Sequence, residues 1–102
     1  MAIAVARSGF RVDFRPVAAQ GWSESTGRVH DLTARGCRIA SPTQCEPGTE
    51  LELRLYIPDT SWPLCVTRAY VSWKHWDTFN VEFETLPESD QTILQRMFSG
   101  QR

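Results

Sequence analysis

The chain has 102 residues, 41% of them hydrophobic and 23% charged, with a formal net charge of −1. That length holds one hydrophobic core and no second. The near-neutral charge argues against a bulk electrostatic grip on DNA or RNA, while leaving room for a local basic cluster that holds a small anion.

The first residues, MAIAVARSG, precede any clear period and are read as a flexible N-terminal arm, 1–9. From Phe10 the chain alternates: Phe10, Val12 and Phe14 point one way, Arg11, Asp13 and Arg15 the other, and Pro16 suits the end of a strand. The polar run Ser23–Gly27 predicts a hairpin turn, followed by a short strand near Gly27–Leu32, a turn at Thr33–Gly36 and a strand at Cys37–Ala40. Ser41–Gly48 is a loop punctuated by Pro42, Pro47 and Gly48.

Thr49–Ile57 has the clearest alternation, with Leu51, Leu53, Leu55 and Ile57 inward and Glu50, Glu52, Arg54 and Tyr56 outward. After a turn at Pro58–Ser61, Leu64–Trp73 reads as a strand whose period slips near Arg68–Ala69, the mark of a bulge. His75–Thr78 is a turn and Phe79, Val81 and Phe83 alternate in a last strand. The texture then changes: an acidic start at Leu86–Asp90, a stripe of Ile93, Leu94, Met97 and Phe98, and Gly100 at the end predict a helix over about 87–99. The domain is thus read as 10–102: all-β apart from this helix, six short strands in a small antiparallel barrel with the helix over an opening or flank.

Chemistry-bearing residues are sparse. His30 and His75 stand without a positioned nucleophile, and no nucleophile elbow, P-loop or HExxH is present, so no enzyme is expected. Cys37, Cys45 and Cys65 are odd in number and lack CxxC spacing, which disfavours a disulfide framework or zinc site and fits reduced thiols in a cytoplasmic protein. The opening lacks a signal-peptide core, and no run approaches the ~20 apolar residues of a membrane span. No cofactor or metal is expected.

Two polar clusters remain. Arg7, Arg11 and Arg15 are spaced by four on a predicted basic loop entering a strand, where guanidinium groups can fork onto phosphate or the O6/N7 edge of guanine. In Asp31-Leu-Thr-Ala-Arg-Gly36, Asp31 could accept from the N1–H and N2–H₂ edge of guanine, with the Thr33 hydroxyl nearby. Turn chemistry explains Asp31, Thr33 and Gly36 about as well, with Gly36 supplying a positive φ.

Taken together, Arg7-Ser-Gly-Phe-Arg11 and, beginning twenty residues beyond Arg11, Asp31-Leu-Thr-Ala-Arg-Gly36 resemble the paired motifs of the PilZ domain family, bacterial receptors for cyclic di-GMP. Cys37-Arg-Ile-Ala, Pro47-Gly-Thr-Glu-Leu-Glu-Leu, Val71-Ser-Trp73 and Phe79-Asn-Val-Glu-Phe83 resemble successive family strands, and the acidic-capped helix from Pro87 its last helix. The resemblance implies a six-stranded antiparallel PilZ-type barrel with one C-terminal helix. It implies a site of Arg7, Arg11, Asp31, Thr33 and Gly36, the last as a turn glycine that lets the backbone pass close by, with Arg15, Arg35 and Trp73 as further candidates. Thr33 departs from the usual Ser or Ala, Asn80 stands where Gly is frequent, and Ala6 is not the extra arginine of many members. Arg11-Val-Asp-Phe-Arg15 is a second register of the arginine motif, set aside because it would lie inside a strand. The implied function is a cyclic di-GMP receptor or adaptor whose arginine arm orders over the ligand and signals to an unidentified downstream protein. The alternative is a PilZ-like protein-interaction module that binds no nucleotide, for which an exposed pair such as Trp62 and Trp76 could be the anchor.

Overall fold

The strand-forming alternation is realised almost where it reads, and the computed structural model describes residues 9–17, 24–58 and 63–99. Six strands, β1 (Arg11–Pro16), β2 (Ser25–His30), β3 (Gly36–Ala40), β4 (Glu50–Leu55), β5 (Leu64–His75) and β6 (Thr78–Thr85), precede one helix, α1 (Glu88–Ser99). The strands close a barrel in the order β1-β2-β3-β6-β5-β4, with antiparallel pairing throughout. Closure leaves no open edge to pair with another chain. The arm lies outside the described residues except for Gly9, as do Trp22 and Trp62.

Inward positions fill the barrel. Val12, Phe14, Val29, Ile39, Leu51, Leu53, Leu55, Val66, Val71, Phe79 and Val81 are buried, and the Phe14 and Phe79 rings meet edge to face at 5.3 Å. The expected inward set of β4 holds, including Ile57 just past its end. The expected slip at Arg68–Ala69 is a register shift against β6, and a second lies between Val71 and Trp73. That second shift sets both Ser72 and Trp73 opposite Asn80, and leaves Trp73 exposed.

Helix α1 docks through Leu94, which joins the core, with Ile93 and Met97 half-buried beside it. Asp90, in its first turn, accepts the Cys65 amide of β5 at 2.9 Å, so the same carboxylate favours the helix N-terminus and pins it to the barrel. No helix among the described residues is long and apolar enough to cross a membrane.

Two local readings are corrected. Ser25 and Thr26, taken as hairpin turn, are the first residues of β2, paired with Phe14 and Asp13 of β1. Polar side chains hid the strand because they face outward, and Thr26 donates to Asp13 there. Second, β2 stops at His30 rather than running to Leu32, because Asp31 takes a left-handed φ of 54°.

Cys37 and Cys45 are buried and Cys65 half-buried, all as free thiols. Burial pushes the Cys37 thiol far up, and burial with the Glu46 charge raises Cys45. Thiolate chemistry is therefore suppressed at both. A disulfide-exchange reagent is expected to label only Cys65 quickly in the native protein and all three thiols after denaturation. Rapid native labelling of Cys37 would contradict the packing.

Candidate ligand-binding site

The turn between β2 and β3 is built by its own polar residues. Asp31 occupies the left-handed region that Asp tolerates better than most residues. The Thr33 hydroxyl accepts the amides of Arg35 and Gly36, each at 3.1 Å, and the Thr33 amide donates to the Gly36 carbonyl at 2.8 Å. The Phe83 amide of β6 donates to the Arg35 carbonyl at 2.7 Å, fastening the turn to the next strand.

This arrangement sets Asp31, Thr33, Arg35 and Gly36 around one open groove of about 290 Å³ on the barrel's outer surface, with Asn80, Val81 and Glu82 of β6 as its floor. Asp31 is exposed, and its carboxylate pairs with Arg38 of β3 at 3.1 Å. Glu82 accepts the Tyr70 hydroxyl at 2.8 Å, which raises the Tyr70 pKa. The charged groups at the groove therefore cancel, Arg35 and Arg38 against Asp31 and Glu82.

At Gly36 the structure has close backbone passage and not the positive φ read from the turn. A Cβ there would lie 2.2 Å from the Val81 carbonyl and 3.1 Å from the Glu82 Cα. Close approach of β3 to β6 requires the glycine, and the left-handed residue of the turn is Asp31.

The arginines divide. Arg7 lies outside the described residues. Arg11 is the first residue of β1, paired with Arg28, so it is a strand residue rather than part of a basic loop. Its guanidinium reaches along β1 to Asp13. There Nε and Nη2 donate to the two oxygens of Asp13 at 2.9 and 3.1 Å, and its Cζ sits 5.1 Å from the centre of the Tyr56 ring. Arg15 lies farther along β1, ion-paired with Glu52 of β4, and is not brought to the groove.

Asp13 is the residue that sequence reasoning missed. It was read as solvent-facing, yet it is only 4% exposed, because Arg11, Thr26 and Tyr56 close over it on the outer face. Burial pushes its pKa up, but the hydrogen bonds from Arg11, Thr26 and Tyr56, with the Arg11 charge, outweigh that and hold it below the ordinary carboxylate range. Arg38 was missed as well. The alternation Cys37-Arg38-Ile39 was the available signal, since it sends Arg38 to the outer face beside Asp31.

Trp73, 45% exposed, pairs in register with Asn80 of the groove floor. Trp76 is 86% exposed in the β5–β6 turn, with a left-handed φ of 59°. No cluster of His, Cys, Asp or Glu among the described residues has the arrangement to hold a metal ion.

The described residues thus form a closed six-stranded antiparallel barrel, with a helix docked on it and a polar groove on its outer surface. The family model for the PilZ domain matches residues 6–100, and the chain belongs to the PilZ domain family. Among solved structures it is similar to the PilZ domain of CeSA from a cellulose-synthesizing bacterium, with a TM-score of 0.66 at 14% identity over 92% of this chain and 93% of that one. A search of curated proteins found no match.

Proposed function

We propose that this chain is a cyclic di-GMP receptor module whose binding site is the Asp31–Gly36 groove completed by Arg7 and Arg11. PilZ domains are generally receptor modules for this dinucleotide, and their role is binding rather than catalysis. The observation that carries the reading here is the convergence of Asp31, Thr33, Arg35 and Gly36 on one outward-facing groove.

The charges fit the ligand. The groove's own groups cancel, so the two phosphates of cyclic di-GMP are met by Arg7 and by Arg11 once it leaves Asp13. The Gly9 amide donates to the Val29 carbonyl, two residues before Asp31, and Arg7 lies two residues before Gly9. Two residues span at most ~7 Å, which keeps Arg7 within range of the groove.

Asp31 accepts the N1–H and N2–H₂ edge of a guanine, while the arginines take phosphate and the O6/N7 edge. The exposed Trp73 ring offers a face on which a base can stack, beside Asn80. Thr33, already spent on the turn amides, shapes the site more than it contacts ligand. Fixing the arm costs about 1–2 kcal/mol per residue ordered. Affinity near micromolar, about −8 kcal/mol, is therefore expected. The module works in the cytoplasm, and the ordered arm is read by a downstream protein.

Calorimetry on Asp31→Asn tests the site. Asn tolerates the left-handed backbone, so the melt should stay within a few degrees. It replaces two acceptors by one acceptor and one donor at the guanine edge. The loss of a charged hydrogen bond of about 1.5–3 kcal/mol corresponds to an affinity drop of roughly ten- to a hundredfold. Unchanged affinity would place the ligand elsewhere.

A second reading, a nucleotide-independent interaction module, is favoured by Trp76. The indole is largely exposed, in a backbone conformation that disfavours large side chains, and stacks on the His75 ring at 5.9 Å. If Trp76→Ala abolished the output while cyclic di-GMP binding was undetectable in the parent, this reading would replace the first.

A further inference from the structure

We propose that Asp13 is a built-in rival of the ligand for Arg11, and so sets the concentration at which the site responds. The proposal rests on the cyclic di-GMP reading above and adds to it a residue that makes no ligand contact.

The geometry is specific. Arg11 is not among the residues lining the groove. Its guanidinium is forked onto Asp13 through Nε and Nη2 at 2.9 and 3.1 Å and laid against the Tyr56 ring. Such a charge-assisted fork is the same arrangement a phosphate would offer. Arg11 pairs with Arg28, three residues before Asp31 on the neighbouring strand. The two Cα positions are therefore separated by roughly one strand spacing of ~5 Å across and ~10 Å along. A long arginine side chain can reach toward the groove across that gap, but not while it is forked onto Asp13.

Asp13 cannot follow it. The carboxylate is tethered by Thr26 Oγ1 at 3.0 Å and Tyr56 Oη at 3.1 Å. The Tyr56 amide also donates to the Arg11 carbonyl at 3.0 Å, so the backbone beneath the rival pair is fixed. Ligand capture thus divides into release of the guanidinium from Asp13 and its transfer to the dinucleotide. Apparent affinity is the intrinsic affinity scaled by the fraction of molecules with Arg11 released. The two hydroxyls that stay behind keep Asp13 hydrogen-bonded while its counter-ion is away, and its uncompensated charge draws Arg11 back when the ligand leaves.

The test is calorimetric titration of the full chain with cyclic di-GMP, comparing the parent with Asp13→Asn, Tyr56→Leu and Glu24→Gln. Asp13→Asn removes the rival charge and keeps an acceptor for the hydroxyls. Tyr56→Leu removes the ring under Arg11 and carries the test alone if Asp13→Asn fails to fold. Glu24→Gln deletes a nearby carboxylate that pairs with Arg54 and acts on Arg11 only as the weakest of its neighbouring charges. The first two are expected to bind about three- to tenfold tighter. Glu24→Gln is expected to change affinity less than twofold, since it alters overall charge without freeing Arg11.

If the parent binds but Asp13→Asn is no tighter, the rival role is overturned and the receptor reading stands; weaker binding would make Asp13 a positioner of Arg11. Equal tightening by Glu24→Gln would reduce the effect to overall charge and overturn it as well. A parent that binds no dinucleotide overturns the receptor reading itself. Independently of ligand, the Arg11 Nε–H of the parent should exchange with solvent more slowly than that of Asp13→Asn; equal rates would also overturn the proposal.

Discussion

Replacing Arg11 with Ala is expected to abolish measurable binding of cyclic di-GMP and, at neutral pH, to lower the melting temperature. The first effect follows from removing one of the two cations left to meet two phosphates. Loss of at least a hundredfold is expected where a charged, bidentate contact worth about 3 kcal/mol disappears. The second follows from Asp13. With Arg11 gone, a carboxylate only 4% exposed keeps two neutral hydroxyl partners and loses its counter-ion. Leaving a buried charge so exposed to its own desolvation is destabilising.

The pH dependence has a definite sign. In the parent, Asp13 titrates below its unfolded value, so its stabilisation is fully present above about pH 5 and fades as pH falls through the lowered folded pKa. The deficit of Arg11→Ala is therefore widest above pH 5 and narrows on acidification, as Asp13 becomes neutral in both proteins. Melts of the two proteins across that range check it. An Arg11→Ala protein as stable as the parent at pH 7 would show that the Asp13 cluster carries no stabilising charge interaction. Arg7→Ala should separate the two effects, because it leaves Arg11, Thr26 and Tyr56, the described partners of Asp13, in place.

The second large effect is expected from Gly36→Ala. A methyl group there meets the Val81 carbonyl at 2.2 Å and the Glu82 Cα at 3.1 Å. Both obstacles are backbone of β6, and no rotamer relieves them. Strand β3 has to move away from β6 along the pairs Gly36–Glu82 and Cys37–Val81. Overpacking of this kind costs about 2–3 kcal/mol, and at about 4–8 °C per kcal/mol the melt should fall by roughly 10–20 °C. Thr33→Ser, which keeps the oxygen that accepts the Arg35 and Gly36 amides, should leave the melt nearly unchanged. A Gly36→Ala protein that melts with the parent would refute the close approach and restore a purely turn-forming role for the glycine.

Particular residues show how far the sequence could be read. Leu51, Leu53, Leu55 and Ile57 announce an inward face because period two is a property of the strand alone, and all four are buried. The misplaced period at Arg68–Ala69 gives away a bulge for the same reason. Partnership is different. Nothing in the alternation of β1 says that it pairs with β4, or that β3 reaches across two strands in sequence to β6, since these registers are fixed only on barrel closure.

The same distinction runs through the site. Asp31, Thr33, Arg35 and Gly36 are close in sequence, and they share a groove. Asp13 looked solvated because the group that closes over it, the Tyr56 hydroxyl, is 43 residues away. At Gly36 the turn chemistry suggests a positive φ and the resemblance a close backbone passage; the carbonyl that makes the passage close lies on β6, where only the tertiary fold brings it near.

The central claim is that a doubly anionic dinucleotide sits in the β2–β3 groove under two arginines. The most direct measurement is an amide-resolved NMR titration with cyclic di-GMP. Shifts that saturate and centre on Arg7, Arg11, Asp31, Thr33 and Gly36, together with the Trp73 indole, are the expected result. An unchanged spectrum at saturating ligand, or shifts confined to the opposite flank around Leu53, Cys65 and Thr67, would contradict it.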